Sequence, residues 1–452
     1  MTATNDFPLD EPVGAREDLL AGFRAFASDR ELLGVEYERL PVVPESAAAR
    51  GYDDQPVGVR DAVAALIGGA YREEVLTAGD RRLVGDLGTI TLEPGAQLEF
   101  SGAPVEDLHA VHAQMCAERR VLAEYTASLN IAWVGMGMQP VTALADMRWA
   151  MKPRYDVMRP YLGSRGPQAH VMMQQTATIQ TNIDYASEED MSEKFVAASR
   201  LTPLLMALFA NSPLREGRPA GALSARSLAW RETDPDRCGF IPGSLDRGFS
   251  FEDYVDYLLD VPMFFIVRRN AYIDMTHLSF RQYWEEGYQG SLATMADWEL
   301  HKSTIFPEVR LRGPLEVRAA DAQRPELAVS VAAVTCGLLY PPDARAAAVE
   351  LTQGWTVPEL ETLLVDAARF GPEAEIRGQT IRGRMIEMLA IAGQALEARD
   401  RRDADGRTEA RYLEPLQDLF VGSGRVPAEE VLARWEQGGS QAPSQMVDDH
   451  RY

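Results

Sequence analysis

The stretch Leu315-Glu-Val-Arg-Ala-Ala-Asp321 holds the side chains with the clearest capacity for chemistry. Glu316 and Arg318 alternate with Leu315 and Val317, and residues two apart in a strand share a face. One face is therefore apolar, and the other offers a carboxylate beside a guanidinium. A carboxylate can hold a hard cation, and an arginine can grip a phosphate oxygen through two parallel bonds. Alone, the pair also reads as an ordinary ion pair on a strand. The pattern recurs, however. Glu36 and Glu38 sit two apart in Leu33-Gly-Val-Glu-Tyr-Glu-Arg-Leu40, with Val35 and Tyr37 facing the other way. Glu93 precedes the Pro94-Gly95 break within Leu87–Gly102, and Gln97 and Glu99 share a face after it. Thr176–Tyr185 alternates most cleanly, with Thr176, Thr178, Gln180, Asn182 and Asp184 on one face. Asn and Asp are depleted in ordinary strands, so this face is expected to line a polar cavity.

These strand segments must be positioned by something, and one antiparallel sheet whose polar faces converge is the simplest arrangement. Flanked by helices, it makes an α+β fold around a carboxylate-lined cavity. Carboxylates and an amide without a histidine or cysteine cluster suit Mg²⁺ or Mn²⁺. Such ions together with arginines suit phosphoryl transfer from a nucleotide. Helical spacing recurs at 17–27, 57–76, 105–129 and 187–210, and again through most of 344–437. The chain is expected to be one catalytic domain over 1–437, with a helical C-terminal part at 344–437 and a disordered tail at 438–452.

Composition narrows the partners. The 452 residues carry a formal charge of −23, which disfavours nucleic acid and anionic membranes. Cys116, Cys238 and Cys336 show no metal spacing and no redox pair, so reduced thiols and a cytoplasmic location are expected. The opening Met1–Pro8 lacks the basic and apolar regions of a leader, and the apolar run Leu327–Tyr340 is too short to span a bilayer. Gly135-Met-Gly137 does not complete a dinucleotide fingerprint, because Pro140 stands where its last glycine belongs. His109 and His112, one turn apart, read as helix-face residues. Lys152, Arg154 and Arg159, in a stretch punctuated by Pro153 and Pro160, read either as pocket cations or as surface.

With these residues in view, the chain resembles the glutamate–cysteine ligase family in its plant and proteobacterial branch. The resemblance runs from about Leu33 to Trp435. It rests on Gly-Val-Glu-Tyr-Glu at 34–38, Leu-Glu-Pro-Gly-Ala-Gln-Leu-Glu-Phe-Ser-Gly at 92–102, Ile-Gln-Thr-Asn-Ile-Asp at 179–184 and Leu-Phe-Ala-Asn-Ser-Pro at 208–213. It continues through Thr-Asp-Pro-Asp-Arg-Cys-Gly at 233–239, Tyr-Val-Asp-Tyr-Leu-Leu-Asp-Val-Pro-Met at 254–263, Thr-Ile-Phe-Pro-Glu-Val-Arg at 304–310 and Leu-Glu-Val-Arg at 315–318. The order and number of these stretches make the match specific.

The resemblance implies a curled, largely antiparallel, glutamine-synthetase-like sheet that binds ATP. It implies formation of γ-glutamyl phosphate, which the cysteine α-amine converts to γ-glutamylcysteine. By resemblance, Glu36, Glu38, Glu93, Glu99, Asn182 and Glu316 match metal positions, and Arg318 holds the transferring phosphate with Glu316 beside it. Arg226 matches a substrate-carboxylate position, Arg237 is its alternative, and Gln180 is a further substrate contact. The family usually reads Arg-Gly-Ala-Asp where this chain has Arg318-Ala-Ala-Asp321. It reads Thr-Asp-Thr-Asp where this chain has Arg231-Glu-Thr-Asp, and a polar residue is common at Leu300. These departures bear on the acceptor amine. A ligase of the same fold using another amine, and a catalytically inactive binding homologue, are the other readings. Mg²⁺ against Mn²⁺ and the oligomeric state stay open.

Overall fold

The structure, a computed structural model, describes residues 10–452; the Met1–Pro8 stretch read for a leader lies outside them. Its architecture is mixed α+β, built on a nine-stranded sheet. The strands are β1 (Leu33–Val42), β2 (Arg72–Val75), β3 (Arg81–Gly85), β4 (Gly88–Leu92), β5 (Leu98–Gly102), β6 (Ala132–Val134), β7 (Ile179–Ile183), β8 (Val309–Leu311) and β9 (Leu315–Val317). Their order is β8-β9-β7-β1-β5-β4-β3-β2, and β6 pairs with the far end of β1. All of these pairings are antiparallel. Directly opposed residues in such a ladder point to the same face. The register sets Glu36 against Gln180 and Ser101, Glu38 against Glu99, and Glu316 against Asn182 and Arg310.

The alternate positions form the other face. Val35, Tyr37, Phe100, Ile179, Ile183, Leu315 and Val317 are all buried there. Helices α1 (Leu108–Thr126), α2 (Glu188–Leu208), α3 (Ala225–Arg231), α4 (Pro325–Leu339) and α5 (Ala442–His450) belong to the helical layers. Of these, α1 and α4 pack against β1, α4 also against β7, and α5 against β6. Asp107 caps α1 by accepting from Ala110 N at 2.7 Å, and Ser187 caps α2 through Asp190 N at 3.2 Å. No single helix among the described residues is long and apolar enough to cross a membrane. Two helices bent by 95°, Pro325–Leu339 and Pro342–Glu350, pass that test only together, and Leu327–Leu339 are buried in the core.

Two expectations are corrected. The helix expected over 57–76 is confined to Val59–Ile67, and Arg72–Val75 is strand β2. Gly68-Gly69 ends the helix, and the charged alternation of Arg72-Glu-Glu-Val75 pairs with β3, with Glu74 bound to Arg82 at 2.8 Å. The tail at 438–452 is ordered: α5 buries Met446, Val447 and His450. Tyr452 N donates to Trp133 O at 2.8 Å, and the Tyr452 ring lies 4.3 Å from the Arg39 guanidinium. A polar segment folds here because its few apolar groups pack beside β6.

Arg39 is the one charged side chain of β1 on the apolar face. It makes a two-pronged pair with Glu118 of α1 at 2.5 and 2.9 Å, and both residues are at most 1% exposed. Removing one partner of a buried pair strands the other charge, at a cost of about 3–5 kcal/mol. Glu118→Gln is therefore expected to lower denaturant stability by roughly that amount, while replacing both partners with apolar residues recovers much of it. Chemical unfolding of the single and double variants measures this.

Candidate active site

The polar face of the sheet opens onto a cavity of about 1420 Å³ lined by Glu36, Glu38, Glu93, Glu99, Gln180, Asn182, Arg310 and Arg318. The turn between β4 and β5 fixes Glu93: Ala96 N donates to Glu93 O at 2.8 Å, and Gln97 ties the turn to Thr176 O at 2.8 Å. Gly95 is required there, since a Cβ would come within 2.0 Å of Gln174 O.

Opposite charges separate within the cavity. At the β8–β9 end, Arg310 binds Glu316 through Nε at 2.6 Å and Nη2 at 3.0 Å. Arg318 Nη1 donates to Glu316 Oε1 at 2.6 Å and to Gln180 Oε1. Two guanidinium groups thus share one carboxylate. Burial alone would raise Glu316, but Arg310 and Arg318 overcome it and hold it down at about 2. At the β1–β5 end the carboxylates face one another. Burial, then the Glu93 charge, pushes Glu38 up to about 8, against the pull of Arg226 and Arg318. Glu99 is driven well above the usual carboxylate range by burial first, then by Glu93, Glu36 and Glu38. Asn182 sits between the two ends and donates Nδ2 to Glu36 Oε1 at 3.2 Å.

Most residues singled out in the sequence meet here, and some do not. Arg226, on α3, lies in a recess beside the cavity with Trp230, Glu308 and Arg318, and donates Nη2 to Arg318 O at 3.1 Å. Arg237 does not reach the cavity. It is fully buried, paired with Asp234 at 3.0 Å, bonded to the Thr304 and Pro262 carbonyls, and stacked 3.8 Å from Phe264. These contacts hold it within the fold, away from the cavity lining. Asp184 also leaves the site: it accepts from Leu32 N at 2.9 Å and Tyr340 OH at 2.8 Å. Of the departures from the family pattern, Leu300 lines the cavity, whereas Ala319, Arg231 and Glu232 do not. Among the described residues, no group of three or more histidine, cysteine, aspartate or glutamate side chains is drawn close enough to hold a metal ion.

Sequence reasoning assigned no role to Arg310 and left Lys152 undecided. Arg310 stands directly opposite Glu316, and its signal was the alternation Val309-Arg-Leu311, too short to read alone. Lys152 lines the cavity, and among the described residues it has no ion-pair partner within 4.0 Å. Burial lowers its pKa, with Glu93 opposing. Arg154 also lines the cavity but is bound to Asp80, while Arg159 stacks 4.7 Å from Trp149.

The raised Glu38 value has a definite sign in stability. The folded protein keeps a proton that the unfolded chain releases above its ordinary value of 4.5. This contribution is complete below about pH 4.5 and is lost as pH rises through about 8. Without added divalent ions, thermal stability should therefore fall between pH 5 and pH 8, and Glu38→Gln should flatten that slope. Thermal unfolding across this range in chelator checks it.

Comparison with known proteins places this cavity in context. The sequence profile of glutamate-cysteine ligase family 2 (GCS2) matches residues 32–448. The chain is 36% identical to the chloroplastic glutamate–cysteine ligase of Arabidopsis thaliana over 460 residues, covering 98% of this chain and 85% of that one. It is 35% identical to chloroplastic glutamate–cysteine ligase B of Oryza sativa subsp. japonica over 436 residues, covering 95% and 85%. The fold is similar to a glutamate–cysteine ligase of Francisella tularensis solved with AMP, with a TM-score of 0.57, 13% identity, and coverage of 94% of this chain and 88% of that one.

Proposed function

The chain belongs to glutamate–cysteine ligase family 2, and we infer that its polar sheet face carries out that family's ATP-dependent ligation. The enzyme joins the γ-carboxylate of glutamate to the α-amine of cysteine and forms γ-glutamylcysteine, the first step of glutathione biosynthesis. The observation that carries the residue assignment is the register, which sets Glu36, Glu38, Glu99, Gln180, Asn182 and Glu316 on one face of the sheet, with all of them but Glu316 lining one cavity.

A carboxylate is a poor acyl donor. Its oxygen attacks the γ-phosphorus of ATP, ADP leaves, and a mixed anhydride results. The amine then attacks the acyl carbon, the tetrahedral adduct collapses, phosphate departs, and the amine proton is lost to solvent. Arg318 is the group for the transferring phosphoryl. Held by Gln180 and Glu316, it is oriented before the reaction begins, so charge developing on phosphate meets a fixed donor. Arg226 takes a substrate carboxylate from the adjoining recess.

The donor types at the β1–β5 end suit a hard divalent cation, Mg²⁺ or Mn²⁺, which would have to draw together carboxylates that stand apart among the described residues. Glu38 and Glu99 are held above the usual carboxylate range by burial and then by the Glu93 charge, and a cation would relieve that strain. Glu36, Glu38, Glu93 and Glu99 would hold such ions, with Asn182 beside them. Glu316 fits less directly, because both of its oxygens are engaged by arginines. When bound, these ions would neutralise the polyphosphate and its transferring group.

We read the sheet as curled around its substrates in the manner of glutamine synthetase, with residues 1–437 as one catalytic unit. The free state of Cys116, Cys238 and Cys336 supports a reducing compartment, the cytoplasm.

ADP release with Mg²⁺, ATP and glutamate, measured across a panel of amines with products identified by mass, tests the acceptor. Cysteine-dependent turnover giving γ-glutamylcysteine is expected. Turnover with another amine alone would reassign the acceptor, and Leu300 is the cavity residue to examine first. Glu36→Gln and Glu316→Gln are each expected to lower kcat by about 100-fold or more, with Glu316→Gln also losing stability because it strands two buried guanidinium groups; near-normal turnover in both would overturn the site.

A further inference from the structure

The stretch that anchors the site ends in a residue the mechanism leaves unused. Asp321 is 1% exposed, and its carboxylate is surrounded by donors from separate parts of the chain. Oδ2 accepts from Asn211 N at 2.8 Å and Ser212 Oγ at 2.6 Å, and Oδ1 accepts from Ser224 Oγ at 2.9 Å. Ser224 is the N-cap of α3, and Ser212 Oγ accepts from Arg226 N at 3.1 Å. Each hydroxyl therefore ties the start of α3 to this carboxylate.

Gly137, of the glycine pair that completed no fingerprint, packs on the same group. A Cβ there would come within 2.4 Å of Asp321 Cγ, and Gly137 N donates to Asn211 O at 3.0 Å. Thr178 pairs with Asp321 by an isolated bridge, and Thr178 N donates to Glu38 Oε2 at 2.9 Å. The carboxylate thus joins the Gly137 segment, the 211–212 turn, the α3 cap and the strand beside Glu38.

One charge faces this knot. Arg226 Nη1 lies 3.6 Å from Asp321 Oδ1, and Asp321 is the one acidic partner of Arg226 within 4.0 Å among the described residues. Arg226 is 4% exposed, and its Nε has no partner. The guanidinium is consequently held by Asp321 and the Arg318 carbonyl, and Arg226 lines the recess it shares with Trp230 and Arg318.

We propose that Asp321 is the positioning residue for Arg226, orienting it to receive the carboxylate of the amino-acid donor, here glutamate. This rests on the reading of Arg226 as a substrate-carboxylate group. Asp321 does not touch substrate: its charge sets the direction of the guanidinium, and its three hydrogen bonds fix α3 relative to the β9 end. A small displacement of a binding group is enough to cost about 100-fold in a reaction that depends on alignment.

The test is a cycle of Arg226→Met, Asp321→Asn and the double variant in the full-length enzyme, with KM measured separately for glutamate, ATP and cysteine. Arg226→Met and Asp321→Asn are each expected to raise the glutamate KM about tenfold or more, to leave the ATP KM within about twofold, and to be non-additive when combined. Asp321→Glu should not rescue, because the longer side chain displaces the guanidinium. A raised glutamate KM in Arg226→Met with a normal one in Asp321→Asn overturns the proposal alone. So do fully additive effects, or equal losses for all three substrates. A normal glutamate KM in Arg226→Met overturns the reading of Arg226 and the role of Asp321 with it. If Asp321→Asn does not fold, Ser212→Ala and Ser224→Ala, which keep the charge and remove one bond each, carry the same comparison. An unchanged glutamate KM in both overturns the proposal.

Discussion

Like charges crowded onto one face of a half-buried sheet are the constraint around which this protein is arranged. Glu36, Glu38 and Glu99 occupy neighbouring positions on adjacent strands, and Glu93 closes on them from the β4–β5 turn. Such a cluster opposes folding, because each carboxylate loses water and gains a repelling neighbour. The opposite face supplies the compensation: an apolar layer under α1 and α4, locked at its edge by the Arg39–Glu118 pair and the C-terminal Tyr452. The long polar alternations survive because the sheet's stability is provided from behind.

The same cavity is polarised along the sheet. Arg310 and Arg318 share Glu316 at one end, so that end stays cationic despite its carboxylate. The other end is anionic, and burial together with the Glu93 charge raises Glu38 and Glu99 above the usual carboxylate range. A substrate pair made of a polyphosphate and an amino acid fits this division. Phosphate needs fixed donors where its charge develops, and Arg310 and Arg318 supply them. Asn182 bridges the two ends through Glu36.

Much of this was legible because the period of a strand is two. Glu36/Glu38, Gln180/Asn182 and Glu316/Arg318 could be placed on common faces from spacing alone, and the Pro94-Gly95 break marked the β4–β5 turn. Strands β2 and β3 were not legible. Arg72-Glu-Glu-Val75 and Arg81-Arg-Leu-Val-Gly85 carry so much charge that their pairing is set by cross-strand ion pairs rather than by apolar alternation. Arg237 looked like a ligand because a buried arginine and a substrate-binding arginine have the same residue type; only Asp234, Pro262 and Thr304 around it tell them apart. The order of 442–450 depended on packing beside β6 that no local pattern announces.

Everything in this arrangement serves the activation of a carboxylate by phosphorylation. The most direct measurement uses glutamate labelled with ¹⁸O in its γ-carboxylate, turned over with ATP and cysteine, with the released phosphate examined by mass. Transfer through γ-glutamyl phosphate predicts one labelled oxygen in each phosphate formed. Phosphate carrying no label, at normal turnover, would contradict the account.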